Sequence, residues 1–530
     1  MAVSLTKSNN SLYDHPSFRW FVLANIMIGT FMAVLDSTIV NVGLSKMMAA
    51  FGSSVDKIEW VLTAYLLVFA VVLPSSGWIA DHWGHKRTYF LGLLLFTSGS
   101  LLCSLSANEN MLIAFRVLQG AGAGFIMPVG MSIITHEFPP EKRGIALGFW
   151  GVAASSSVSL GPMLGGYLID AFSWHAIFDI NVPIGIFAMI STLIVLKEYK
   201  TEKTRSFDLL GFVTLTTFLV FLLLALSDGN AAWNTGGWTS GFILTCFGIS
   251  FVSFVIFLST ELTVENPIID LRILKNRNFA LANIMLFIFG LAFFGNSFLL
   301  PLYLQNSLGY TALQAGLVFL PVGIIMALMS PVAGWMTDKF NPKIPILIGV
   351  VLTFLSMYMY KDLSLNTERS TIMLPLYIRG FGLGFMFIPL SALALNDISK
   401  QKMAQASGLF NTIRQVGGSF GVAILGALLT KRVIFHTQMF SQSADQMSGT
   451  FQHSVYMLKD FVQHSIGGAG ARIMAQAKGL IIQNIYEQAF VEGINDDFLI
   501  GAIITLLILI PLVFLKYHKK KNAVKIESME

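Results

Sequence analysis

Long apolar runs dominate this chain and constrain its fold more than any other feature. Stretches of about 20 apolar residues recur along the whole sequence, separated by short polar segments. Each stretch is long enough to cross about 30 Å of hydrocarbon as a helix. Only 12% of the residues are charged, whereas soluble domains carry about 25%. Because the ~10-residue alternating segments of a β-barrel are absent, the sequence predicts an all-α integral membrane protein.

The apolar runs predict fourteen membrane spans. Their expected bounds are 19–44, 59–80, 88–106, 111–135, 144–169, 174–196, 208–227, 237–260, 279–304, 311–336, 344–360, 372–395, 407–430 and 497–515. The 18 residues before the first span lack the basic region, short apolar core and cleavage site of a signal peptide. We therefore expect the first span to stay attached to the protein.

The distribution of lysine and arginine predicts how the spans are oriented. With the N-terminus in the cytoplasm, the inner segments hold 22 basic residues and the short outer loops hold four. This asymmetry follows the positive-inside rule and predicts a multi-pass membrane protein with both termini in the cytoplasm. The net charge of +5 is explained by these loops, so it does not indicate nucleic-acid binding.

An internal repeat divides the chain into two halves. FVLANIM at 21–27 matches FALANIM at 279–285, an offset of 258 residues, and glycines of GAGAG at 120–124 match those of GFGLG at 380–384, an offset of 260 residues. We predict a cytoplasmic tail (1–18), an N-terminal six-helix half (19–196), a linker with two extra spans (197–278), a C-terminal half (279–515) and a basic cytoplasmic tail (516–530). Two parallel halves around a central path suit alternating access.

Two ionisable residues lie inside apolar spans of the N-terminal half. Asp36 is about 25 Å above the start of span 1, and Arg116 is about 10 Å below the outer end of span 4. Their similar depth predicts that they lie close together. A nearby arginine and burial shift the protonation of a carboxylate in opposite directions. We therefore expect Asp36 to be a proton-coupling group, with a purely structural Asp–Arg pair as the alternative.

Three glycine-containing motifs follow. GWIADHWGHKR covers 77–87 and is echoed by GWMTD at 334–338, RVLQGAGAG covers 116–124, and GFWGVAASSSVSLGPMLGG covers 148–166. Small residues let membrane helices pack closely, and a proline makes a helix bend. On these motifs and LDSTIVNVGL at 35–44, the chain resembles the major facilitator superfamily, specifically its fourteen-span drug:proton antiporters of the EmrB/QacA type.

The resemblance covers roughly 19–430 and the last span, and it implies a fold and an activity. The implied fold has two six-helix halves with two extra central helices. The implied activity is proton-coupled efflux of lipophilic, cationic or amphipathic compounds, driven by the proton motive force without a cofactor or metal. The chain is not expected to be an enzyme. Its nine histidines are scattered, and its two cysteines lack metal-ligand spacing.

The resemblance also implies roles for individual residues. Proton coupling falls to Asp36 and Arg116, and a cytoplasmic latch for conformational gating falls to Gly77, Asp81, Gly84, Lys86, Arg87 and Asp338. The antiporter motif, which indicates export, consists of Gly148, Ser157, Gly161, Pro162, Gly165 and Gly166.

Some residues depart from the family pattern. His85 replaces an arginine of the latch, and Ser157 replaces a glycine. Asp179 is an unexpected acid, either a second proton-coupling group or an interfacial residue. Arg379 and Arg414, which lie inside spans of the C-terminal half, are expected to serve packing or gating.

The segment 431–496 predicts a long outside loop with amphipathic stretches. It is expected either to dock a periplasmic adaptor that works with an outer-membrane channel or to lie on the membrane surface. The leading alternative to multidrug efflux is export of a specific metabolite, such as a fatty acid or siderophore. An uptake symporter is disfavoured by the motif at 148–166.

Overall fold

A computed structural model describes residues 18–199, 206–229, 233–395, 398, 403–443, 452–453, 456–458 and 471–515. Side chains in parts of 140–159, Asp338, 403–407 and parts of 471–477 lie outside this description. Within the described residues the chain is helical and contains no strand. Every backbone polar group in hydrocarbon needs a partner, and a helix supplies these partners within one segment.

The N-terminal half contains eight helices. They are α1 (Phe18–Phe51), α2 (Val55–Ile58), α3 (Trp60–Trp83), α4 (His85–Ser104), α5 (Glu109–Glu137), α6 (Pro140–Ala171), α7 (Ala176–Asp179) and α8 (Asn181–Val195). The extra pair follows as α9 (Leu209–Asp228) and α10 (Gly241–Thr263).

The C-terminal half contains nine described helices. They are α11 (Arg277–Ser297), α12 (Leu299–Asn306), α13 (Ala312–Lys339), α14 (Lys343–Tyr358), α15 (Arg369–Gly384), α16 (Phe387–Leu395), α17 (Met403–Ser443), α18 (Ala471–Leu506) and α19 (Leu509–Phe514). Short 3-10 segments lie at Gly237–Thr239, Leu271–Lys275 and Met359–Asp362.

Polar side chains fix several helix starts. Asn108 accepts a hydrogen bond from the Met111 amide at 2.9 Å, and Asp208 accepts one from the Gly211 amide at 2.7 Å. Thr311 and Gln314 form a reciprocal capping box at the start of α13. Such caps satisfy amides that the first helical turn leaves without partners. The sequence therefore sets where these spans begin.

The all-α membrane fold is confirmed. Twelve described helical segments are long and apolar enough to cross a membrane. The two further predicted spans, 88–106 and 144–169, coincide with α4 and α6, which have 20 and 32 residues. At 1.5 Å per residue both helices reach about 30 Å or more. The count of fourteen spans stays a prediction that these helices fit.

The segment 431–496 differs from the expected loop. Helix α17 continues past the predicted end of its span to Ser443, and α18 begins at Ala471, well before its predicted span. The amphipathic stretch at 471–490 thus extends the last span as a helix. Most of 444–470 lies outside the described residues, and adaptor docking stays a prediction.

The two halves meet along two main lines. Helix α6 packs against both α1 and α13, and α3 packs against α17. The extra pair α9 and α10 packs mainly on itself, and α9 also contacts α3 and α17. The Glu59 carboxylate accepts a hydrogen bond at 2.7 Å from the Ser227 hydroxyl of α9. The extra pair is therefore held against both halves.

Candidate functional site: a buried ion pair between two faces of the bundle

Asp36 and Arg116 form an ion pair in the interior of the N-terminal half. Arg116 Nη1 donates to Asp36 Oδ2, and both side chains are fully buried. The sequence predicted this contact from their depth alone. A buried charge is tolerated only when it is paired and hydrogen-bonded, so the pair must bring further partners with it.

Two amides complete the environment of the carboxylate. Gln119 Nε2 donates to Asp36 Oδ1 at 2.7 Å, and Asn181 Nδ2 donates to the same oxygen at 3.2 Å. Both amides also donate to Ser100 Oγ, at 3.0 Å and 3.1 Å. Four helices, α1, α4, α5 and α8, therefore converge on one carboxylate.

The guanidinium is held by three kinds of contact. Arg116 Nε donates to the Val61 carbonyl at 2.9 Å, and Nη1 also donates to Gln119 Oε1 at 2.7 Å. The guanidinium carbon lies 4.1 Å from the centroid of the Tyr65 ring, a cation–π distance. Arg116 Nη2 has no partner among the described residues. Arg116 also lines a small cavity with Ser37 and Asn41.

Sequence reasoning missed Gln119, Asn181 and Ser100 as members of this cluster. One signal was available, since Gln119 lies three residues after Arg116 and so shares its helix face. The structure does not bring Asp179 to the site. Asp179 ends α7 with an exposed side chain, whereas Asn181, two residues later, reaches the carboxylate. The unexpected acid is peripheral, and the neighbouring amide is central.

The antiporter motif lies where the halves meet. We call the side of the bundle where α1 ends at Phe51 the far side, and the side where α1 begins at Phe18 the near side. Gly161 and Gly165 face Thr38 and Ile39 of α1. Toward the far side, Gly166 approaches the Ala312 carbonyl of α13 so closely that a Cβ would overlap it.

Other residues of the antiporter motif also lie where α6 contacts α1 and α13. The Pro162 carbonyl is in equally close contact with Gly316 of α13. Buried Ser157 presents its carbonyl to the Thr38 hydroxyl at 3.4 Å. Gly148 lies in α6, but its surroundings are outside the described residues. Small residues thus let α6 contact both halves.

Hydrogen bonds reinforce this contact on the far side. Asp170 Oδ2 accepts from the Leu313 amide at 2.8 Å, and Oδ1 accepts from the Ala312 amide at 3.2 Å. The carboxylate of one half therefore caps the N-terminus of α13 in the other, where negative charge is stabilising. Ser45 also donates to Asn306 at 2.7 Å. The halves are joined on the far side.

The near side contains a larger cavity of about 290 Å³. Asp81, His85 and Ser132 line it from the N-terminal half, and Gly408 and Leu409 line it from α17. Segments next to the extra pair, around Asp208 and Ile268, complete the wall. The halves are thus apart on the near side where they are joined on the far side.

The basic part of the predicted latch contacts its own half. The Lys86 amide donates to Glu198 Oε1 at 3.1 Å, and Arg87 Nε lies 3.6 Å from Glu198 Oε2. Gly84 has φ +107°, and a Cβ there would overlap the Glu198 carboxylate, so this turn needs glycine. Glu198 is a member that the sequence did not reveal.

The remaining gating residues are less constrained. A Cβ added at Gly77 would meet no neighbouring heavy atom within 4 Å, so no close helix approach occurs there. The side chain of Asp338 lies outside the described residues. His85, which replaces the expected arginine, contacts Ser132 Oγ at 3.0 Å and the Tyr199 carbonyl at 3.2 Å.

The two arginines that the sequence places inside spans of the C-terminal half, Arg379 and Arg414, differ from Arg116. Arg379 is 4% exposed and lines a cavity between the halves. The Arg414 guanidinium carbon lies 5.1 Å from the centroid of the Phe387 ring, and its Nε has no partner among the described residues. Within the described residues, no group of three or more His, Cys, Asp or Glu side chains is arranged to hold a metal ion.

The comparisons with known proteins agree with this architecture. The model of the Major Facilitator Superfamily matches residues 26–422. The chain belongs to the Major Facilitator Superfamily. It is 32% identical over 490 residues to the multidrug export protein EmrB of Escherichia coli K12, covering 91% of this chain and 93% of that protein.

Other relatives span the chain as fully. An uncharacterized MFS-type transporter, YhcA of Bacillus subtilis, is 31% identical over 96% of this chain and 95% of its own length. The fatty acid resistance protein FarB of Neisseria gonorrhoeae is 30% identical over 95% of this chain and 97% of its own length.

Solved structures support the fold. A bacterial homolog of the human lysosomal transporter Spinster, in an inward-facing and unoccupied conformation, has a TM-score of 0.65 at 15% sequence identity. The alignment covers 95% of this chain and 99% of that chain. The chain is therefore a multi-pass membrane protein of a transporter family.

Proposed function

We propose that this protein is a proton-coupled exporter that moves lipophilic and amphipathic small molecules by alternating access. The observation that carries the proposal is the buried Asp36–Arg116 pair, which lies between the near-side cavity and the closed far side. The proton motive force drives the cycle without a cofactor. The relatives named for multidrug export support export over uptake.

The coupling mechanism follows from the surroundings of the carboxylate. Arg116, Gln119 and Asn181 each donate a hydrogen bond to Asp36, and these bonds favour the charged form of its carboxylate. The protonation state of a carboxylate depends on whether a cation faces it and whether water reaches it. Arg116 belongs to the same half as Asp36, so rocking one half against the other changes the access of water to the carboxylate. Asp36 therefore exchanges a proton as access alternates, and export draws on that exchange.

The orientation of the protein in the membrane and its partners are part of the same proposal. The near side is the cytoplasmic side, and both termini lie in the cytoplasm of a bacterial inner membrane, which the basic residues of the near-side loops support. The far side then carries the extensions of α17 and α18. These extensions offer a docking surface for a periplasmic adaptor linked to an outer-membrane channel.

The test is substrate-induced proton movement in proteoliposomes. Wild type and Asp36→Asn are compared with ethidium, a lipophilic cation, and dye binding is measured in parallel. The expected result is proton–dye exchange in wild type and none in the variant, with dye binding retained. Normal coupling in Asp36→Asn would make the pair structural and contradict the mechanism.

A specific-metabolite exporter is the second candidate, favoured by the similarity to FarB. In that case wild type moves no protons with ethidium or other lipophilic drugs, but it exchanges protons for compounds of one chemical class. The same assay therefore separates the two candidates.

A further inference from the structure

Arg379 is a buried cation for which the described residues provide no acidic partner. It lies on α15 and is 4% exposed. No described ion pair includes its guanidinium. By contrast, the described ion pairs include a buried carboxylate for Arg116. An unpaired buried cation is costly and typically functional.

The internal repeat shows which residues of the C-terminal half correspond to Asp36 and Gln119. Phe294 stands 258 residues after Asp36, the offset between FVLANIM and FALANIM. Arg379 stands 260 residues after Gln119, the offset between the two glycine motifs. At the equivalent place of the C-terminal half, a phenyl ring therefore replaces the carboxylate and a guanidinium replaces the amide. Leu376 stands 260 residues after Arg116, so at these positions the C-terminal half has one cation and no anion.

Both replacements line the same cavity between the halves. Its volume is about 70 Å³ in this far-side-closed structure, and its wall includes Phe293, Phe294, Phe319, Met326 and Arg379. Ser37 and Asn41 of α1 contribute a small polar edge beside Asp36. Aromatic and methionine side chains adapt to apolar chains of varied shape. The cavity thus combines an apolar wall with one positive charge.

This combination matches one chemical class of ligand. We propose that the cavity binds amphipathic anions, with a carboxylate, sulfonate or similar head group paired to Arg379 and an apolar chain against the phenylalanine and methionine side chains. The ligand supplies the negative charge that Asp36 supplies to Arg116 in the other half. This inference rests on the proposed export function and narrows its substrate class.

Two probes of equal chain length and opposite permanent charge test the proposal. Decanesulfonate and decyltrimethylammonium are added to the full-length protein in neutral detergent and phosphatidylcholine, and thermal unfolding is followed. A ligand that binds the folded state raises the Tm. Decanesulfonate is expected to raise the Tm at about ten- to hundredfold lower concentration than the cation, the usual worth of a hydrogen bond to a charged group.

Variants assign the effect to Arg379. In Arg379→Gln the preference for decanesulfonate is expected to vanish, and in Arg379→Lys most of it is retained. Arg414→Gln removes a partly buried cation of the same half that does not line this cavity, and the preference is expected to persist. Without ligand, Arg379→Gln is expected to be at least as stable as wild type, since it removes an unpaired buried charge.

Three results would overturn the proposal. They are equal stabilisation by the two probes, a preference that survives Arg379→Gln, and a response confined to added phosphatidylglycerol, which would make the cavity a lipid site. Proteoliposome transport separates this inference from the proposed function. Proton exchange with the cation but not with decanesulfonate refutes the anion site alone, whereas exchange with neither probe nor ethidium refutes the export function.

Discussion

In the N-terminal half, the Asp36 carboxylate accepts hydrogen bonds from Arg116, Gln119 and Asn181, whereas in the C-terminal half Phe294 and Arg379 occupy the repeat-related positions of Asp36 and Gln119. The two halves correspond in sequence, but only the N-terminal half has a carboxylate at these positions. One half neutralises its buried cation internally, and the other leaves a cation facing the cavity. The comparison suggests a division of work, with protons handled in one half and ligand charge in the other.

The largest effect on stability is expected from replacing Arg116 and Arg379 in turn. Arg116→Leu leaves Asp36 buried without its cation, which should lower the free energy of unfolding by about 3–5 kcal/mol. Arg379→Leu breaks no ion pair and should leave stability unchanged or raised. Denaturant unfolding of both variants in the same detergent measures the difference. Equal losses would mean that Arg379 has an internal partner and would break the comparison.

A second variant tests the amide that distinguishes the halves. Gln119→Met removes the donor to Asp36 and Ser100 and the acceptor of Arg116. The expected loss of stability is about 1–3 kcal/mol, the cost of leaving buried polar groups unsatisfied. Gln483→Met is the matched control, because Gln483 is exposed and its side chain donates to Glu487. A loss no greater than the control's would remove Gln119 from the cluster.

A third variant restores an acid to the C-terminal half. Phe294→Asp places a carboxylate in the cavity that Arg379 lines. The new acid should compete with the ligand's head group and weaken decanesulfonate binding about tenfold, as one lost charged contact does. Phe294→Leu keeps the wall apolar and should keep the preference for the anion. Unchanged affinity in Phe294→Asp would place the two side chains too far apart to interact.

The smallest effect concerns the contact that makes the halves act together. Asp170→Asn keeps the shape of the cap on α13 but removes its charge. A charge at a helix terminus contributes about 0.3–1 kcal/mol, so far-side opening should become about two- to fivefold more frequent. Labelling of a cysteine introduced at Ser45, which is buried against Asn306 of the other half, reports that opening. Asp362→Asn, at an exposed carboxylate, should leave the labelling rate unchanged.

The sequence was sufficient for the spans and for the central ion pair. Apolar length and helix caps predict the spans, and the rise per residue places Asp36 and Arg116 at one depth. It was not sufficient for the amides of the cluster. Gln119 and Asn181 are uncharged, so their burial in a membrane helix gives no strong signal. Only the rotation of each helix about its axis, which tertiary packing sets, turns them toward Asp36.

For the charged residues Lys86 and Arg87 too, the sequence did not reveal the contact partners. Lys86 and Arg87 were expected to act in gating, but they contact Glu198, 112 and 111 residues away in the chain. Positive-inside counting places such residues on one side of a membrane and does not choose their partners. Asp179 is the opposite case: the sequence marks it as a candidate because an acid is unusual at that position, but its side chain is exposed.

Helix α17 runs unbroken for 41 residues from Met403 to Ser443, a rod of about 60 Å. About half of that length is needed to cross the hydrocarbon. A rocking movement of about 10° that pivots near Met403 sweeps the Ser443 end through about 10 Å, given the rod's length. A displacement of about 3 Å at Arg414, which lies about 16 Å along the helix from Met403, thus corresponds to about 10 Å at Ser443. The length of α17 therefore amplifies a small movement near its start into a large displacement at its far-side end.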